Sequence, residues 1–181
     1  MGRSEYKENA GITLVEVLVG LAIVALLTRL AVPSYRFIIN SSRISSEVSD
    51  LLTTLQFARS EAMRRGVSVS VCASTNASAC SASSDWTSGW MAFEDTNSNG
   101  AADDNTPVMR SHAAITNGDK VQADNSTGSV RFNREGIAAG LAADPVTLTF
   151  TPPTNPGLQK RCLAIGVSGR MLVRQPAVGV C

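Results

Sequence analysis

The sequence contains a single histidine, His112, and lacks the short motifs that mark most enzyme active sites. It has neither a Gly-x-Ser-x-Gly nucleophile elbow nor a glycine loop of the kind that cradles phosphates. No nucleophile or carboxylate stands at a motif spacing from His112, so catalysis has no candidate group of residues. The sequence therefore predicts a protein that is not an enzyme and that needs no cofactor.

An excess of charge of one sign is also missing. The 16 lysines and arginines are balanced by 15 aspartates and glutamates, which leaves a net charge of +1. Such a balance gives no global reason to expect nucleic acid or an acidic substrate as a partner. At 181 residues, the chain has the length of one membrane-anchored domain.

Long apolar runs are scarce in this sequence. One stands near the N-terminus, within the first 32 residues. From Ile12 to Leu27 it has 16 residues, interrupted by the carboxylate of Glu16. This is below the roughly 20 residues that a spanning helix needs, and counting on to Val32 restores the length. An unpaired charge is expensive in hydrocarbon, so Glu16 is predicted to have a partner. A cleaved secretory signal is the competing hypothesis, but no clean small-x-small cleavage site precedes Pro33.

The four cysteines all follow this apolar segment. An even number beyond a membrane signal suggests disulfides in an oxidising compartment. Of the three possible pairings we favour Cys72–Cys80 and Cys162–Cys181, because each closes a local loop. A zinc site is the alternative, but the sequence has no Cys-x-x-Cys and only one histidine.

Helical periodicity continues from the apolar segment to about Arg65. Pro33 should bend this helix without ending it, and Gly66 is placed to end it. One apolar face is predicted on its second half, formed by Val48, Leu51, Leu52, Leu55, Ala58 and Ala62. Polar residues, Glu47 and Thr54 among them, are predicted to fall largely outside this face.

Beyond Gly66 the period changes to two, which is typical of β-strands. Valines alternate with small polar residues over 67–72, which predicts a half-buried strand. Further strands are predicted at Gly89–Glu94, Pro107–Ala113, Ser129–Asn133, Val146–Thr151, Arg161–Val167 and Arg170–Arg174. Turn-rich segments separate them at Ser74–Ser84, Thr96–Thr106, Thr116–Gly128 and Pro152–Gly157. Many short strands without intervening helices indicate antiparallel pairing, so the expected class is α+β.

The N-terminal order of residues resembles that of type IV pilins and their relatives in type II secretion. A short polar leader ends at Gly11, Ile12-Thr13-Leu14-Val15-Glu16 opens the apolar helix, and Pro33 follows. The resemblance implies that a prepilin peptidase cuts after Gly11 and methylates the new amino terminus at Ile12. It also implies that Glu16 pairs with the amino terminus of a neighbouring subunit. The implied organisation is a leader (1–11), a transmembrane and assembly helix (12–32), an amphipathic helix (33–66) and a β-rich head (67–181).

A second set of motifs resembles the GspH/FimT group of minor pilins and pseudopilins. They are Leu55-Gln56-Phe57-Ala58-Arg59-Ser60-Glu61-Ala62, Val69-Ser70-Val71-Cys72, Trp90-Met91-Ala92-Phe93-Glu94-Asp95 and the Gly136 region. The resemblance implies a low-copy subunit that initiates or caps a type IV pilus. It would sit in the bacterial inner membrane with its head in the periplasm and then in the filament, near the tip. Its implied partners are the prepilin peptidase and, through the N-terminal helix, other major and minor pilins. The alternatives are a pseudopilin of type II secretion and a pilin that captures DNA.

Three local patterns have a functional and a structural interpretation. Asp95, Asn97, Asn99 and Asp103 resemble the first half of a calcium loop, but the same residue types form ordinary turns. Arg170 and Arg174 would share one face of a strand and could meet DNA phosphates, or they could guard a solvated sheet edge. Trp86 and Trp90 are expected to pack in the core or in loops. In all three cases we favour the structural interpretation.

Overall fold

The computed structural model describes residues 11–103, 106–154, 156–175 and 181. Residues 1–10 of the predicted leader therefore lie outside the described residues. The chain divides into two compact units, one that ends at Ile39 and one that comprises Asn40–Cys181.

Helix α1 comprises Leu14–Arg65 and confirms the predicted helix. It continues through Pro33, and it ends at the predicted place because Gly66 adopts a φ of 70°. In this left-handed conformation, which favours glycine, the Gly66 N–H still donates to the carbonyl of Ala62 at 3.0 Å. Arg64 and Arg65 lie in the last turn, where the helix dipole favours cations.

None of the helices in the described part of the chain is both long and apolar enough to cross a membrane.

The second half of α1 buries the predicted apolar face against the β-strands. Ile44, Val48, Leu51, Leu55, Ala58 and Ala62 are buried, and Leu52 is half-buried. The polar residues do not separate as cleanly as predicted, because Glu47 and Thr54 are buried too. The Thr54 hydroxyl donates to the Asp50 carbonyl at 2.9 Å and accepts the indole N–H of Trp90 at 3.3 Å. Its burial is thus compensated by hydrogen bonds within the core.

The strands form two antiparallel sheets, as the α+β prediction requires. One sheet has the order β3-β2-β1-β5-β6, and the other has the order β4-β7-β8-β9. The strands are β1 (Val69–Ala73), β2 (Trp90–Glu94), β3 (Val108–His112), β4 (Lys120–Ala123), β5 (Ser129–Phe132), β6 (Ala138–Ala139), β7 (Val146–Thr151), β8 (Arg161–Ile165) and β9 (Met171–Arg174). A short helix, α2 (Pro156–Gln159), precedes β8.

Two sequence predictions about the strands are wrong. Strand β1 is buried on both faces and not on one, because Val69 and Val71 join the core with α1, while Cys72 packs with Met91 and Phe93 against the loop residues Cys80 and Ala102. Strand β4 lies within Thr116–Gly128, which was predicted as a turn. Its exposed and buried side chains alternate, but the turn-forming residues on both sides of it favoured the turn prediction. Strand β6 and helix α2 were not predicted, since two and four residues carry no periodicity.

Both tryptophans are fully buried, as expected. The indole N–H of Trp86 donates to the carbonyl of Thr127 at 3.0 Å. Trp90 stacks on the ring of His112 with centroids 4.1 Å apart and planes at 6°. His112 is therefore a packing partner of a core residue at the edge strand β3.

Candidate functional site

The start of α1 presents a capped helix end. Gly11, Ile12 and Thr13 are exposed and precede the helix. The Thr13 hydroxyl accepts the backbone N–H of Glu16 at 3.3 Å, and the Thr13 carbonyl accepts the N–H of Val17 at 3.3 Å. A threonine three residues before a glutamate is a capping signal that could have been found in the sequence. The dipole of the helix also favours a carboxylate in this first turn.

The Glu16 side chain has no ion-pair or hydrogen-bond partner among the residues that the structure describes. The apolar side chains around it are exposed, from 78% for Leu14 and 66% for Val15 to 48% for Val17. This exposure continues along the helix through Leu26, Ile38 and other large side chains. A continuous apolar surface of this kind marks a contact with lipid or with another protein.

Both disulfides that we favoured from the sequence are present in the structure. Cys72 of β1 is joined to Cys80 of the following loop, with the Cα atoms 5.6 Å apart. Cys162 of β8 is joined to Cys181, with the Cα atoms 5.7 Å apart. Within the described ranges, no three His, Cys, Asp or Glu side chains lie together as a metal site.

The acidic turn after β2 uses its oxygens as acceptors of local hydrogen bonds. One Asp95 oxygen, Oδ2, accepts the Ser70 hydroxyl at 2.7 Å and the Gly100 N–H at 2.9 Å. The other, Oδ1, accepts the N–H of Asn99 at 3.1 Å, and the Asn97 amide donates to Asp103 at 2.8 Å. These contacts are those of a tight turn built around a buried carboxylate.

Arg170 and Arg174 are exposed at the two ends of β9, which is an edge strand of its sheet. Arg174 is paired with Cys162, and the Arg170 carbonyl accepts the N–H of Gly166 at 2.9 Å. Side chains alternate along a strand, so residues four apart are expected on one face; for Arg170, which immediately precedes β9, and Arg174 this stays a prediction.

Arg59 joins α1 to turns of both sheets, a role that the sequence did not indicate. Its guanidinium donates to the carbonyls of Gly136 and Gly169 at 2.9 Å and of Ser168 at 3.2 Å. Gly136 lies between β5 and β6, and the other two lie between β8 and β9. Beside this anchor is an open cavity of about 520 Å³, lined by Gln56, Arg59, Ser60, Met63 and residues 168–171.

A buried charge cluster fixes α1 to the start of β4, and the sequence did not predict it either. The Arg43 guanidinium pairs with the fully buried Asp119 carboxylate through two hydrogen bonds, one of them 2.8 Å long. Glu47 lies one helical turn after Arg43, and its buried Oε2 atom has no hydrogen-bond partner among the residues that the structure describes. Burial, reinforced by the nearby Asp119 charge, raises the pKa of Glu47 to about 8. In the sequence, the only sign of this charge cluster is that the polar Glu47 stands between the apolar residues Ile44 and Val48.

The raised pKa of Glu47 predicts that stability falls as the pH rises. Unfolded, this carboxyl releases its proton near its ordinary pKa of 4.5, whereas the folded chain keeps it to about pH 8. Folding therefore becomes less favourable from pH 4.5 to 8. We expect Glu47→Gln, whose amide does not ionise, to remove this slope of at most about 1.4 kcal/mol per pH unit, and so to gain stability relative to the unaltered chain as the pH rises to 8.

Thermal unfolding of the full chain in detergent between pH 4 and 9 measures this slope. Glu61→Gln is the contrasting variant, because Arg64 and Arg65 lower the pKa of the Glu61 carboxyl to about 2. A slope that survives in Glu47→Gln would show that another group causes it.

Comparison with known proteins gives the family. The family model "Type II transport protein GspH" matches residues 47–169, and the "Prokaryotic N-terminal methylation motif" matches residues 6–28. The first match covers more than half of the chain. The chain therefore belongs to the GspH family, as its resemblance to the GspH/FimT group predicted. A search of curated protein sequences finds no match.

Solved structures show the same fold. The type IV minor pilin FimU of Pseudomonas aeruginosa aligns with a TM-score of 0.58 at 19% identity, over 77% of this chain and 96% of that chain. A second crystal form of FimU gives 0.55 at 20% identity, over 75% and 99%. The minor pseudopilin EpsH of the Vibrio cholerae type 2 secretion system gives 0.49 at 12% identity, over 74% and 97%. The α+β fold is thus that of FimU.

Proposed function

We propose that this chain is a minor type IV pilin, a low-copy structural subunit that initiates or caps a pilus. The observation that carries this proposal is the exposed apolar surface of the first half of α1, which contains Glu16 with no partner among the described residues. In water such a surface is unstable, and a bundle of similar helices would bury it. The likeness of the fold to FimU supports a pilus subunit over other members of the family.

The proposed mechanism is assembly after cleavage. Lipid would first cover residues 12–32, whose transmembrane role stays a prediction, with the β-rich head in the periplasm. The prepilin peptidase would then cut between Gly11 and Ile12, which are exposed ahead of α1. The freed amino group of Ile12 in one subunit would pair with Glu16 of its neighbour, since opposite charges attract strongly in a low dielectric. Apolar packing would drive the helix into the bundle, and this ion pair would set its register.

A type II secretion pseudopilin is the second candidate. It is favoured by the family model that covers residues 47–169, which describes a type II transport protein. Both candidates would use the same N-terminal helix, so the destination of the mature subunit distinguishes them. Loss of the gene should abolish surface pili in the first case and protein secretion in the second.

The mature N-terminus tests both candidates against a cleaved signal peptide. We expect mass spectrometry of sheared surface filaments to detect this chain beginning at an N-methylated Ile12. Recovery of that same mature form from the envelope of cells that lose secretion, with no trace of it in pili, would favour the pseudopilin. A mature chain that begins near Pro33 would overturn both proposals.

A further inference from the structure

The two sheets have four outer edges, and three of them are covered or interrupted. The edge of β4 is covered by residues 84–86, because Trp86 donates to the Val121 carbonyl and Ala123 donates to the Ser84 carbonyl, both at 2.8 Å. Strand β6 is two residues long, and the Ala138 N–H donates to the Val167 carbonyl at 2.9 Å. Strand β3 has a register shift opposite Ala92 and Phe93. Such short, covered or bulged edges prevent pairing with other chains.

Strand β9 is different, since it is regular and has no covering segment in the part of the chain that the structure describes. The Gly166 N–H donates to the Arg170 carbonyl, and residues that bond across an antiparallel ladder alternate with residues that do not. Residues 170, 172 and 174 therefore direct their backbone groups to β8. The N–H and C=O groups of Met171 and Val173 point to the open edge.

The side chains at this edge suit an incoming strand. Met171 packs on the core, and Val173 is 46% exposed. The 520 Å³ cavity, with Met63 and Gln56 of α1 on its opposite wall, begins at Met171. An added strand would pair with the backbone of β9 and would place alternate side chains towards this cavity.

We propose that the open edge of β9 binds an extended acidic segment of a partner protein by strand addition. Arg170 immediately precedes β9 and Arg174 ends it. Strand alternation would put both side chains on one face, so acidic side chains four residues apart in the added strand would meet both. A second copy of this chain does not fit. Antiparallel pairing along the whole of β9 would put Arg170 of each copy opposite Arg174 of the other, and like charges directly opposite are destabilising.

The test uses the full chain in detergent and two matched peptides. Each has about eight residues of alternating valine and threonine, the common pattern of a strand with one apolar face. One peptide carries two glutamates four residues apart on its polar face, and the other carries two lysines there. Fluorescence anisotropy measures affinity, and hydrogen exchange measures protection of the amides of Met171 and Val173.

We expect the glutamate peptide to bind at least about tenfold more tightly than the lysine peptide, the worth of one charge-assisted contact. Val173→Pro removes the outward N–H without removing a bond to β8, and it should reduce the affinity by about the same factor. Val173→Thr keeps that N–H and should bind normally. The double variant Arg170→Glu/Arg174→Glu should reverse the preference between the peptides.

Three kinds of result would overturn the proposal. The first is a failure of strand addition, in which neither peptide binds at millimolar concentration or Val173→Pro binds as well as the unaltered chain. The second is a salt-sensitive association with duplex DNA that needs both arginines and is unaffected by Val173→Pro, which would assign the arginines to phosphates. The third is a dimer in sedimentation that Val173→Pro dissociates, which would make a second copy the occupant.

Discussion

Glu16→Ala is expected to give a subunit that is cleaved and methylated normally but is reduced at least about tenfold in filaments. The reason is that the Glu16 carboxylate stands alone within the described residues, on an apolar helix surface. In a helix bundle it would face the amino terminus of a neighbour in a low dielectric, where losing one partner leaves the other charge buried and unpaired. Quantitative mass spectrometry of sheared filaments and of the envelope fraction measures this ratio.

Thr13→Ala is the matched control for Glu16→Ala. It removes the hydroxyl that caps the Glu16 N–H but keeps the carboxylate, at a cost of about 1 kcal/mol in helix stability. Glu16→Gln keeps the shape of the side chain without the charge and should behave as Glu16→Ala does. Near-normal incorporation of Glu16→Ala, or an equal loss in Thr13→Ala, would contradict a role for the charge.

Gly169→Ala is expected to destabilise the head strongly. Gly169 has a φ of 72°, and a Cβ atom there would clash with the Gly136 carbonyl oxygen and lie 2.8 Å from Nε of Arg59. Neither neighbour can retreat easily, because the Arg59 guanidinium bonds both turns. We expect a loss of about 2–4 kcal/mol in the free energy of unfolding, from backbone strain and steric overlap together.

Gly66→Ala separates the effect of backbone strain from that of steric overlap. Gly66 has a similar φ of 70°, but a Cβ atom there would meet nothing within 4 Å. Its substitution should therefore cost only the strain of the left-handed conformation, about 1–2 kcal/mol. Thermal unfolding followed by circular dichroism compares the two variants in the full chain. Equal losses of melting temperature in the two would mean that crowding at Gly169 has no effect.

Features set by neighbouring residues could be predicted from the sequence. Gly66 ends α1 because a glycine directly after a helical pattern adopts the left-handed conformation. The buried positions of Leu51 and Leu55 follow from their spacing on one helix face. The apolar segment with its single acid at Glu16, and the cysteine spacings, are likewise visible without a structure.

Features that depend on distant pairing could not be predicted. The Glu47 side chain is buried because Asp119 and Arg43 form a charge cluster over it, and Arg43 and Asp119 are 76 residues apart. Arg59 contacts carbonyls 77 and 110 residues away. Strand β1 is fully buried only because the core with α1 covers one of its faces and distant loop residues, Cys80 and Ala102, pack on the cluster at the other. In each case local periodicity predicted the helix or strand, but the burial and the contacts of the side chain depend on residues that are distant in the sequence.

The contacts of Arg59 have a consequence for how the head resists force. The two sheets share no strand, and they meet at the Ala138–Val167 hydrogen bond beside the turns that the guanidinium binds. A pull on the end of either sheet is therefore transmitted to the other sheet and to α1 through their shared hydrophobic core and through the Arg59 side chain. A subunit built in this way should yield to tension in a single step, as one mechanical body, because neither sheet can peel away alone.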